Sequence, residues 1–261
     1  MALAGGTSMV LLLKNRLVQP SKLVWLGRVR ELGGIDLLPG GGLRVGANVR
    51  VGELSRSELV LREAPALARA ASSVGNPRVR AVATIGGALA HADPRQDLPP
   101  VLLALGATVA LASPSGSRQV PLERFFLGFM ETTVEPGELI TEVVVPPAPG
   151  RRLAYARYTP GSEDDYPTVG AAASVIMGNG LVERAAVALG GVGPTALLVP
   201  GLDGLLAGTT PGQAELRAAA EAAEAAVRPT DDQRGSAAYK RAMAGVFTRR
   251  VLESCLNSHA R

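Results

Sequence analysis

The chain has 261 residues, 47% hydrophobic and only 3% aromatic, which allows two modest domains packed through small side chains rather than aromatic plugs. Its net charge of +4 is spread over scattered arginines, which excludes a basic nucleic-acid tail, and the Arg249-Arg250 doublet reads as a solvated helix face. One cysteine, Cys255, and two histidines, His91 and His259, exclude an internal disulfide framework, a cysteine-ligated iron–sulfur cluster and a His/Cys metal cage. A reducing, cytoplasmic setting is expected.

No segment reaches the roughly 18 uninterrupted apolar residues of a membrane span. The apolar run Met9 to Leu13 has no positive region before it, so it does not read as a signal peptide. Residues 1–8 read as the end of a short strand running into a glycine turn, Ala4-Gly5-Gly6-Thr7-Ser8. Leu43, Val45, Ala47 and Val49 alternate with Arg44, Gly46, Asn48 and Arg50, the period of a half-buried strand. Pro65 opens a helix that runs to about Val74 and is ended by Gly75-Asn76-Pro77. Val79 to Ile85 reads as extended and leads into a second glycine turn, Gly86-Gly87. Asp97, ahead of Leu98-Pro99-Pro100, reads as the N-cap of a helix closed by Gly106. Strands are expected around Thr108–Ala112 and Ile140–Val145.

Pro146-Pro147-Ala148-Pro149-Gly150 can continue neither a strand nor a helix, and it divides the chain into domains at 1–149 and 150–261. Beyond it, Val169, Ala171, Ala173, Val175 and Met177 alternate, Gly178-Asn179-Gly180 signals a tight turn, and Leu181, Ala185, Val187 and Leu189 form the return strand of a hairpin. Thr210-Pro211-Gly212-Gln213 reads as a capping box with proline at the first helical position. Leu216, Ala220, Ala223 and Val227 fall on one face of the helix behind it. Ser236 caps a final helix that turns Met243, Val246, Phe247 and Val251 inward. The predicted class is α+β: a mixed first half, a proline hinge, then a small domain with an antiparallel sheet and helices.

The two glycine turns are the chemically suggestive features. Consecutive glycines let the backbone turn sharply and approach a ligand, and successive N–H groups in such a turn form an anion-binding nest. Thr7, Ser8 and Thr84 add hydroxyls, and a diphosphate is the natural guest. Neither turn is a P-loop, since no Gly-Lys-Ser/Thr comes after it, and neither is G-x-G-x-x-G. Taken singly, each reads more readily as an ordinary turn, since glycine pairs are common in a chain with 31 glycines.

In order along the chain, Ala4-Gly5-Gly6-Thr7-Ser8 and Thr84-Ile85-Gly86-Gly87-Ala88 resemble the two flavin motifs of the p-cresol methylhydroxylase family in its molybdenum-hydroxylase branch. The stretch from Leu89 through His91-Ala92-Asp93-Pro94-Arg95-Gln96-Asp97 to Pro100 is similar to the segment just after the second motif in that branch. Phe125-Phe126-Leu127-Gly128, Pro136-Gly137-Glu138-Leu139-Ile140, Gly190-Gly191-Val192-Gly193-Pro194-Thr195 and Ser236-Ala237-Ala238-Tyr239-Lys240-Arg241 resemble further landmarks, so the likeness covers nearly the whole chain.

The resemblance implies a two-part FAD-binding domain of the p-cresol methylhydroxylase type and the FAD-carrying electron-transfer subunit of a complex like carbon monoxide or xanthine dehydrogenase. Residues 4–8 and 84–88 would hold the FAD diphosphate. Asp97 would bind FAD through its carboxylate, Leu139 or Ile140 would pack on the isoalloxazine, and Arg157 stands where the family carries a basic residue near the flavin. The implied partners are a large molybdopterin-binding subunit and a small iron–sulfur subunit in a hetero-oligomer, with NAD, a quinone or oxygen as acceptor.

A helix cap also explains Asp97, and ordinary strand core also explains Leu139 and Ile140. His91 reads as a structural loop histidine, Cys255 as a small buried hydrophobe, and Glu163-Asp164-Asp165 as a solvated acidic loop. No catalytic acid or base and no metal ligand is assigned. Ala81 and Ala88 replace polar residues of the family, and the chain begins almost at the first motif, so the alternative reading is a truncated scaffold paralogue that holds no flavin.

Overall fold

The computed structural model describes residues 1–257, so His259 lies outside the described residues. Strand β1 (Ala2–Leu3) leads through the first glycine loop into helix α1 (Met9–Lys14) and pairs in parallel with β2 (Val24–Trp25). Strands β3 (Ile35–Leu37) and β4 (Leu43–Gly46) come next. The expected strand over Leu43–Val49 stops at Gly46, where the backbone packs so closely on the carbonyls of Leu32 and Gly33 that a Cβ would sit 2.4 Å from each.

A run of short helices continues the chain: α2 (Val51–Leu54), α3 (Glu58–Glu63), α4 (Pro65–Ser73), α5 (Pro77–Arg80), α6 (Ile85–His91) and α7 (Leu98–Ala104). The expected extended segment Val79–Ile85 is therefore corrected: its first residues close α5 and its last opens α6. Two caps cause this. Asn76 Oδ1 accepts the N–H groups of Arg78 and Val79 at 3.0 and 3.1 Å, with Pro77 in the first helical position, and Thr84 Oγ1 accepts Gly87 N–H at 3.1 Å.

Strands β5 (Thr108–Ser113), β6 (Gly116–Pro121), β7 (Phe126–Gly128), β8 (Glu131–Thr132) and β9 (Leu139–Val145) complete the first half. A five-stranded antiparallel sheet runs in the order β3-β4-β9-β5-β6. The helices bury Leu54, Leu67, Ile85, Leu98 and Leu102 with it in one core.

After the proline run, β10 (Arg151–Tyr158), β11 (Val169–Gly178), β12 (Leu181–Gly190) and β13 (Leu197–Leu198) form an antiparallel four-stranded sheet. Asn179 and Gly180 both have positive φ, as a two-residue primed hairpin turn requires. The rest comprises α8 (Leu202–Leu206), α9 (Gln213–Ala226) and α10 (Ala237–Asn257). Helix α9 begins after Pro211 rather than with it, so the expected Thr210–Gln213 box is corrected: the cap is Gly212, whose N–H donates to Glu215 Oε2 at 2.8 Å, while Thr210 Oγ1 donates to Gly180 O at 3.3 Å. Ser236 caps α10 as expected, its Oγ accepting Tyr239 N–H at 3.2 Å.

Side-chain alternation gives this sheet two working faces. The row Tyr155–Ala172–Ala188 faces the core of the first half, while Ala154–Ala173–Val187 packs in a second core with Leu216, Ala223, Phe247 and Val251 of α9 and α10. The alanines keep both layers close to the strands, as the small-residue composition predicts.

Candidate cofactor site

A cavity of about 800 Å³ lies between the first glycine loop, α1, α6, the turn before α7 and residues 164–166. Its size is that of a small-molecule or cofactor site. Ala4, Gly5, Gly6, Thr7 and Ser8 all line it. Gly6 has φ +75°, the left-handed conformation that glycine adopts freely. Gly5 presses on the chain at Val82, where a Cβ would come 1.9 Å from the carbonyl oxygen. Among the described residues, no acceptor is found for the N–H groups of Gly6, Thr7 and Ser8, so the loop presents unpaired donors beside a cavity.

The second motif is built differently. Ile85 N–H donates to Val49 O at 3.0 Å, Gly86 N–H to Ala47 O at 2.9 Å and Ala88 N–H to Thr84 O at 2.9 Å. With Gly87 bonded to Thr84, these donors are already occupied, and the expectation of a second nest is corrected. Thr84, Gly87 and Ala88 line the cavity, whereas Ile85 and Gly86 lie beneath it in the core. Gly86 is needed for packing: a Cβ there would come 2.6 Å from Ala47 Cβ.

Asp97 lines the cavity and is only 4% exposed. It stands at the start of α7, but its side chain makes no capping bond, so the cap reading is corrected. Its Oδ1 instead accepts Tyr155 O–H at 2.5 Å and pairs with Arg157 Nη1 at 3.0 Å. Burial raises the Asp97 carboxyl to about 6, against the opposing pull of Arg157 and the Tyr155 hydrogen bond. Burial likewise raises Tyr155, helped by the neighbouring carboxylate.

A folded-state value above the ordinary one means that folding takes up a proton between about pH 4 and 6. This contribution to stability is complete below that window and lost as pH rises through it. In the FAD-free chain, Asp97→Asn should therefore gain stability relative to wild type across the window, by up to about 3 kcal/mol. Urea denaturation of both proteins at a series of pH values measures this, and a flat difference would refute it.

Arg157 does not line the cavity. Besides Asp97 it bonds the carbonyls of Ser73 and Asp165. Leu139 and Ile140 lie on β9 opposite Ala112 and Leu111, outside the cavity lining, with Ile140 in the first core. Cys255 is buried, as expected.

Residues that the sequence does not single out as ligand-binding also line the cavity: His91, Gln96, Met130, Asp164, Asp165 and Tyr166. The acidic loop is thus not merely solvated. Arg234 Nη2 holds Asp165 at 2.6 Å, which lowers the Asp165 carboxyl. Burial lowers the His91 imidazole, with Asp93 opposing. No group of residues suited to a metal ion occurs among the described residues.

The antiparallel five-stranded sheet and the absence of a G-x-G-x-x-G turn set this chain apart from a Rossmann dehydrogenase, and comparison with known proteins gives its class: a flavin-binding oxidoreductase subunit. The family described as the FAD binding domain in molybdopterin dehydrogenase matches residues 1–148, and the CO dehydrogenase flavoprotein C-terminal domain matches 154–255. The carbon monoxide dehydrogenase medium chain of Hydrogenophaga pseudoflava is 37% identical over 97% of this chain and 88% of its own. The xanthine dehydrogenase FAD-binding subunit of Escherichia coli O157:H7 is 27% identical over 97% and 88%. A solved carbon monoxide dehydrogenase from H. pseudoflava superposes with a TM-score of 0.94 at 37% identity, covering 98% of this chain and 88% of that one. The chain belongs to the family of FAD-binding medium subunits of molybdenum hydroxylases. Among its described residues, no helix is long and apolar enough to cross a membrane.

Proposed function

We propose that this chain binds FAD in the cavity and works as the electron-transfer subunit of a molybdenum-containing hydroxylase, together with a large molybdopterin-binding subunit and a small iron–sulfur subunit. The observation that carries the reading is the row of unpaired N–H groups at Gly6, Thr7 and Ser8 beside the cavity. These groups, with the hydroxyls of Thr7, Ser8 and Thr84, suit a diphosphate, which needs donors and close backbone approach. The redox chemistry would be that of FAD when bound there, linking the iron–sulfur clusters of the partner to NAD, a quinone or oxygen as acceptor.

The chain's own work is to bind and orient. Gly5, Gly6, Gly87 and Ala88 leave room for the nucleotide, and Asp97 offers an acceptor from the cavity wall. Leu139 and Ile140 are assigned to the isoalloxazine end and Arg157 to support from behind Asp97. The boundary between the flavin-binding and C-terminal domains is assigned to 149/150, and the single buried cysteine suits a cytoplasmic setting.

The visible spectrum of the purified chain, with the chromophore released and identified, tests the reading. Flavin bands close to one FAD per chain are expected. A folded, colourless chain that takes up no added FAD would reject it in favour of a scaffold subunit.

A further inference from the structure

The Asp97 carboxylate is held unevenly. Tyr155 O–H donates to Oδ1 and Arg157 Nη1 forms an ion pair with the same oxygen; beside them the carboxylate takes a hydrogen bond from its own backbone N–H, and no other side chain pairs with it among the described residues. Asp97 belongs to the turn between α6 and α7, while both partners stand on β10, two residues apart and so on one face of the strand. Asp97 lines the cavity and its two partners on β10 do not.

We infer that Tyr155 and Arg157 are positioning residues for the cofactor: they clamp Oδ1 of Asp97 and leave Oδ2 as the acceptor for an O–H or N–H of the bound flavin nucleotide. The inference rests on the FAD reading above and deepens it. The site is then completed from the second half of the chain, by residues that need not touch the ligand.

The clamp also sets the charge. Without a cation beside it, a carboxylate this deeply buried takes up a proton near neutrality and stops acting as a full acceptor. Arg157 is the cation in direct contact. The other charged or titratable groups around the clamp include Arg69 from α4, Asp93 and Arg95 from the turn that carries Asp97, Asp165 and Tyr166 from the loop after β10, and Arg234, which pairs with Asp165. Arg157 additionally ties the Ser73 and Asp165 carbonyls, so its removal loosens the cavity wall, whereas Tyr155→Phe removes a single O–H and keeps the buried ring.

The test is FAD titration of the full-length FAD-free chain, monitored by flavin fluorescence from about pH 5 to 8.5, with thermal unfolding of each protein as a folding control. Tyr155→Phe should bind FAD about 3- to 10-fold more weakly at pH 7. The midpoint of its binding–pH curve should move upward, since a donor to the charged form is gone. Arg157→Gln should move that midpoint further, and Arg157→Lys should recover part of the shift. A purely structural loss would lower affinity without moving the midpoint, and would overturn the inference. Wild type that binds FAD with Tyr155→Phe and Arg157→Gln matching it at every pH would overturn it too, leaving the FAD reading intact. Wild type that takes up no FAD at any pH would overturn both.

Discussion

Gly5→Ala is expected to strip FAD from the protein while leaving its fold standing. The new Cβ would lie 1.9 Å from Val82 O, 2.7 Å from Val82 C and 3.0 Å from Ala83 Cα, all of them backbone atoms that no rotamer change can move. The loop must withdraw by about 1.5 Å to restore ordinary contact, and its unpaired N–H groups move with it. A hydrogen bond to a charged group contributes about 1.5–3 kcal/mol, so misplacing even one weakens binding about 10- to 100-fold. Stability should change little, because no residue before Leu32 is buried. The ratio of flavin to protein absorbance, read beside the thermal midpoint, gives both quantities. Full FAD loading in the variant would refute the geometry of the first loop.

The largest effect on stability is expected at Phe125. Its side chain is fully buried in the first core, with its ring set edge-on to Phe126 at 5.2 Å. The chain has only four phenylalanines, and its core is otherwise built mainly from alanine, valine and leucine. Small neighbours have few rotamers with which to fill a hole, so Phe125→Ala should cost about 3–5 kcal/mol. The expected signature is a lower urea midpoint at an unchanged m-value. A loss below about 1 kcal/mol would mean that the core collapses around the gap.

How far the sequence can be read depends on the range of the interactions involved. Over Val169–Leu189 the fold is plain, because alternation and the Asn179-Gly180 turn act within a few residues. Residues 77–91 mislead because α5 and α6 are too short to show a helical period, and are set instead by the Asn76 and Thr84 side chains. Both glycine motifs are visible, but their difference is not: the acceptors that occupy the second motif, Val49 and Ala47, lie almost forty residues away in the chain. Asp97 looks like a helix cap because its true partners are on β10. Asp164 and Asp165 are exposed, as their polarity suggests, but polarity says nothing about Arg157 and Arg234 closing on their loop.

Strand β10 has a further consequence, for cooperativity. Neighbouring residues of this one strand serve different interiors: Ala154 lines the core under α9 and α10, and Tyr155 lines the core under the five-stranded sheet. A fluctuation that peels β10 from either interior exposes the other at the same moment. The two halves correspond to separate family matches, yet they share this wall and so should lose their structure in one step.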